Sequence, residues 1–173
     1  MLEMKDRQPR RVARDGQGLV EFALVVPLIL LLLMGVLDFG RAIFAFNEVS
    51  NAAREGGRTG IVNQTLADIR SRAAAQAIGL GVPTTAPASC PANGGPPTSS
   101  SDPAGICIAI LQPDLTTDCS ASPQIGCVVV VSVKSTFTAL TPIIGNILGP
   151  IAVSSTTRQT IEATCSGAGC TVP

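Results

Sequence analysis

From Gly16 to Gly40 the chain reads GQGLVEFALVVPLILLLLMGVLDFG, and from Phe22 to Leu37 it is apolar with only Pro27 and Gly35 as interruptions. A helix over Leu19–Gly40 is about 33 Å long, enough to cross a hydrocarbon core of roughly 30 Å. Residues 17–40 are therefore predicted to span a membrane. Pro27 is expected to bend that span, because proline removes one backbone donor and crowds the carbonyl four residues earlier. A neighbouring helix can pack into such a bend. Beyond the span, Phe39, Ile43, Phe46, Val49 and Ala53 recur at steps of four, three, three and four, while Asn47, Glu48, Asn51, Arg54 and Glu55 take much of the remaining surface. This pattern predicts an amphipathic extension over 41–60 whose apolar stripe faces a core, with Gly56 and Gly57 ending or loosening the helix.

The pattern changes after residue 60. Thr65 followed by Asp68 resembles a capping box, and Leu66, Ile69, Ala73 and Ala77 follow at helical spacing, so a second helix is predicted over about Thr65–Ile78. Residues 80–105 are dense in Pro, Gly, Ser and Thr with no periodicity, which reads as an exposed loop. Ile106–Leu111 and Cys127–Thr138 are rich in β-branched residues, and the second alternates through Val131, Val133, Ser135 and Phe137; both are predicted strands. Ala139–Gly149 is apolar but broken by Pro142 and Gly145, predicting a short helix or packed loop. A third strand is predicted from Pro150 to just before Cys165. The order gives an α+β class: a long N-terminal helix packed on a small antiparallel sheet of about three strands, in one extramembrane domain over 61–173.

Charge adds an orientation. The chain has 12 basic and 12 acidic side chains, but Lys5, Arg7, Arg10, Arg11 and Arg14 precede the span against Glu3, Asp6 and Asp15, an excess of +2 within residues 1–16. Basic residues before a first span favour keeping that end in the cytoplasm, so the expected product is a single-pass cytoplasmic-membrane protein whose C-terminal domain is extracytoplasmic. A cleaved secretory signal would place small residues just after the apolar run, where Asp38, Phe39, Gly40 and Arg41 stand instead. Asp38 and Arg41, three apart, suit an ion pair at the membrane boundary. The basic excess is confined to a short leader without interleaved aromatics, so nucleic acid is not an expected partner.

Six cysteines, Cys90, Cys107, Cys119, Cys127, Cys165 and Cys170, all follow the span. An even number on the outward side argues for disulfides, which would offset a core poor in large side chains. Spacing favours Cys165 with Cys170 and then Cys119 with Cys127; a bridge from Cys90 would tether the 80–105 loop. The chain contains no histidine. Nucleophilic catalysis thus lacks its ordinary base and zinc lacks its usual ligands, and Asp102, Asp114 and Asp118 lie in loop-like segments that do not predict a catalytic pair. Neither a cofactor nor a metal is expected, and no catalytic residue is assigned.

Glu21 is unusual for its place, since a carboxylate in hydrocarbon costs about 2.5–3.5 kcal/mol at mid-helix even on lenient scales. One reading is that it snorkels to the headgroups. The other starts from the motifs VEFALV-x-P, the DFGR of Asp38–Arg41 and the NAAREGGR of Asn51–Arg58, through which Val20–Arg58 resembles a TadE-like pseudopilin. The resemblance implies a pilin-like fold and a minor component of the tight-adherence, Flp-type pilus. It implies a prepilin-type leader, residues 1–16, cut between Gly16 and Gln17. Glu21 becomes residue five and faces a new amine, and Glu21, Phe22 and Pro27 become subunit-docking residues. It also implies a closing strand with an arginine near its middle, the place of Arg158. The partners implied are a prepilin peptidase, assembly-platform proteins, other pilins or pseudopilins, and membrane lipid. Such a chain helps to initiate, build or cap a pilus for surface attachment and is not an enzyme. The alternative is a signal-anchored extracytoplasmic binding or adhesive module, with the 80–105 loop for recognition, that never enters a pilus.

Overall fold

The computed structural model describes residues 15–165, with backbone alone for 15 and 142–144. The first helix, α1, runs unbroken over Asp15–Val62, 48 residues with Pro27 inside it. At 1.5 Å per residue it is about 72 Å long, more than twice a membrane's hydrocarbon thickness. Helix α2 (Leu66–Gln76) folds back against it. Strand β1 (Gly105–Leu111), strand β2 (Val128–Phe137), the short helix α3 (Pro142–Leu148) and strand β3 (Ile151–Thr160) complete the order. The sheet is antiparallel in the order β1-β2-β3, with Ile108 opposite Val131 and Val131 opposite Thr157. This is the α+β arrangement of a long apolar helix and a three-stranded sheet that the patterning predicts.

Alternation divides the sheet's two faces. Ile106 and Ile110 of β1 and Val129, Val131 and Val133 of β2 point to the helices and are buried with Val49, Ala52, Ala53, Ile69, Ala73 and Ile161. The predicted stripe on α1 is only half right. Val49 and Ala53 are fully buried, whereas Phe39, Ile43 and Phe46 are exposed. The packed face instead runs through Asp38, Ala45, Val49, Ala52, Ala53, Gly56, Thr59 and Gly60. Aromatic residues drew the reading to the wrong side, because this contact is made by small residues that let the sheet come close.

Gly56 and Gly57, expected to end the helix, make that approach possible together with Gly60. A Cβ on Gly56 would lie 2.9 Å from Val131 Cγ1, on Gly57 2.5 Å from Thr157 Cγ2, and on Gly60 2.7 Å from Val129 Cγ1. The helix continues through all three and stops only after Val62.

The capping box is also replaced. Asp68 accepts from Asn63 Nδ2 at 2.8 Å, and Asn63 Oδ1 accepts from Thr65 N at 2.8 Å, so Asn63 fills the reciprocal half assigned to Asp68. Gln64 then locks the chain beyond β3 to the end of α1: its Nε2 donates to Gly60 O and Ala163 O, and its Oε1 accepts from Cys165 N at 2.8 Å.

Residues 80–105 do not stand free as an exposed loop. Cys90 is bridged to Cys107 of β1, Lys134 Nζ of β2 donates to Pro97 O and Ser99 O, Thr136 Oγ1 donates to Pro103 O, and Asp102 accepts from Ser89 N and Oγ. Gly94, at φ +70, comes so near the sheet that a Cβ would meet Ala109 and Val130 at 2.9 Å. This layer buries Val130, which the helices cannot reach. A second bridge joins Cys119 to Cys127, the pair their spacing favoured, across the β1–β2 connection. Cys165 is also disulfide-bonded, while its expected partner Cys170 lies outside the described residues.

Candidate functional site

Gly16 and Gln17 lie in the first turn of α1, both exposed, with nothing within 4 Å of a Cβ built on Gly16. Glu21 stands one turn beyond Gln17 on the same face, the spacing at which charges pair along a helix. It too is exposed, and among the described residues it has no hydrogen bond or ion pair.

The helix then presents apolar side chains in every direction. Phe22 and Leu24 are each 69 % exposed, and Leu28, Leu32 and Leu37 follow, while the most apolar 18-residue window is buried against nothing in the chain. Pro27 lies inside this stretch without interrupting it. In water such a surface would be a severe liability; a helix apolar all round belongs in lipid or among other helices. By length and composition α1 is, among the described residues, the one helix long and apolar enough to cross a membrane, as a single-pass anchor would.

Asp38 ends the apolar run, and it does more than the boundary ion pair expected of it. Its Oδ1 accepts from Arg41 Nη1 at 3.3 Å and from Leu140 N at 2.8 Å, and its Oδ2 accepts from Thr141 N at 2.9 Å and Thr141 Oγ1 at 2.6 Å. The carboxylate is buried, fully coordinated, and ties the turn into α3 to the end of the span. Arg41 also lies over the Phe137 ring, 5.5 Å from its centroid, a cation–π placement. Sequence reading missed the Asp38–Thr141 link because partners 103 positions apart leave no local trace. A cleft of about 250 Å³ opens beside it, lined by Arg41, Phe44, Leu80 and Phe137. It is smaller than the roughly 300–1,000 Å³ typical of small-molecule sites.

Of the three acids weighed as catalytic candidates, Asp114 and Asp118 each hold a turn of their own, the first binding Thr116 and Thr117 and the second Ser120, and Asp102 binds Ser89 across the 80–105 layer. Hydrogen bonds to the charged form hold Asp114 and Asp118 below the usual carboxylate range. Arg158 sits mid-way along β3, exposed and opposite Val130.

No curated protein and no solved structure matches the chain. A family model does, over residues 16–58, from the first turn of α1 to just short of its end, and its description is TadE-like protein. Over that quarter of its length the chain is similar to TadE-like proteins.

Proposed function

We propose that the chain is a non-catalytic pseudopilin that helps to initiate, build or cap a Tad-type pilus used for attachment. The observation that carries this reading is the all-round exposure of apolar side chains along Phe22–Leu37, on a helix anchored to its sheet only by its upper half. Such a helix crosses lipid as a stored subunit and exchanges lipid for neighbouring helices in an assembly, where packing rather than burial from water favours association. A prepilin peptidase cuts between Gly16 and Gln17. The new amine of Gln17 then lies one turn from Glu21, and the pair, or the same pair between neighbouring subunits, lowers the penalty of placing either charge in an apolar bundle. The basic leader stays in the cytoplasm and the sheet lies outside, where the bridges Cys90–Cys107 and Cys119–Cys127 suit an oxidising compartment. Assembly-platform proteins and other pilins are the expected partners.

Glu21→Leu tests this directly. Full-length chain carrying it should insert into host membranes as well as the wild type, because leucine only adds to the apolar run, yet cells should lose pili. Normal piliation would show that Glu21 docks no subunit.

A further inference from the structure

The connection from β2 to β3 sits at the end of the sheet nearest the membrane-crossing part of α1. Gly60 meets Val129 and Gly56 meets Val131, so β2 descends as α1 is followed back toward its apolar half. At the bottom, Asp38 holds Leu140 N, Thr141 N and Thr141 Oγ1. Leu19 and Asp38 are nineteen residues apart, about 29 Å along the axis, close to the thickness of a hydrocarbon core. Residues 140 and 141 are thereby fixed at the level where the lipid ends.

The composition of this connection matches that level. Between Lys134 and Arg158 no residue is charged. Leu140 is 67 % exposed, Ile147 76 %, Leu148 60 % and Ile151 43 %, all within one short segment. Exposed aliphatic side chains on so small an element would be unfavourable in water, and the lack of charge removes the main barrier to lipid contact. The neighbouring carboxylate does not oppose it, since Asp38 already has four donors.

We propose that residues 139–151 form a second membrane contact, lying in the headgroup and upper acyl region beside α1, with a lipid bilayer as the occupant of this apolar face. Interfacial elements of this kind bury their apolar side roughly 5–10 Å into the boundary. Two contacts, a crossing helix and a grazing loop, fix how the sheet stands on the membrane. This rests on α1 crossing the bilayer.

The chain has no tryptophan or tyrosine, so one introduced tryptophan reports alone. Full-length chain with Ile147→Trp or Leu148→Trp, both exposed positions where folding is not at stake, is reconstituted in phosphatidylcholine and phosphatidylglycerol vesicles brominated near the headgroup. Leu31→Trp in the span and Ile125→Trp, just before β2 at the end of the sheet away from the span, are the references. Tryptophan at 147 and 148 should emit at shorter wavelength than at 125 and lose emission to the bromines, more than with bromine near the chain ends. Emission at 147 and 148 that behaves like that at 125, with Leu31→Trp still quenched, overturns the proposal and leaves the crossing helix standing. Blue-shifted emission that bromine does not quench means that protein, such as a second copy, covers the face, and also overturns it. A Leu31→Trp quenched by bromine at neither depth removes both the proposal and the crossing helix.

Discussion

Gln64 shows how much a single polar side chain can hold. It is 5 % exposed and joins three backbone groups from two distant parts of the chain: Gly60 O, Ala163 O and Cys165 N. Removing one partner of a buried hydrogen bond leaves the others unsatisfied, at about 1–3 kcal/mol. Gln64→Ala should therefore lower the unfolding free energy of the full-length chain in detergent micelles by about that amount; an unchanged melting temperature would mean that water replaces the clamp. Asp114 acts more locally. It accepts from Thr116 N, Thr117 N and Thr117 Oγ1, and in that order these bonds depress its pKa. A depressed carboxylate contributes stability that is present above the unfolded-state pKa and lost as pH falls through the folded-state value. The Thr116 and Thr117 amide resonances should thus hold their positions as pH falls to the ordinary value of 3.8 and move only below it. A transition centred at or above that value contradicts the assignment.

Among the elements, the contact of α1 with the sheet sets the shape of everything above the membrane. Alanine is a better helix former than glycine by about 1 kcal/mol. At Gly60, however, its Cβ would lie 2.7 Å from Val129 Cγ1 and 3.2 Å from Val129 Cβ. Overpacking of this kind costs typically about 1–3 kcal/mol, so the clash should win. Gly60→Ala is expected to destabilise the sheet domain by up to about 2 kcal/mol, whereas Gly40→Ala, with nothing within 4 Å, should not. Equal melting of the two variants would show that the interface yields. The same contact explains what was legible in the sequence. Strands β1, β2 and β3 were readable from β-branched runs, and the span from its apolar length, because those signals are local. The packed face of α1 was not, because a helix that docks through Ala and Gly has no hydrophobic contrast to display, and Phe39, Ile43 and Phe46 supplied a misleading one. The layer over Val130 was hidden for a related reason: its order comes from Cys90–Cys107 and from Lys134, not from any periodicity in residues 80–105.

At the scale of the whole molecule, the chain divides its apolar surface between two purposes. The upper half of α1 buries small residues under a sheet held by bridges, and the lower half buries nothing within the chain. A subunit that leaves a membrane to join a fibre needs this division, since its folded part must persist while its helix changes surroundings. Of the elements of the candidate site, the anchor and the Gly16–Glu21 spacing were visible from sequence, whereas the tie from Asp38 to Thr141 required the fold. In the proposed function the mature subunit begins at Gln17, with its amine one turn from Glu21. The most direct test is the intact mass and N-terminal sequence of the protein purified from membranes of its native host, beside a Gly16→Ala variant. The wild-type chain should start at Gln17 and the variant should keep residues 1–16. A wild-type chain that retains those residues would contradict that reading.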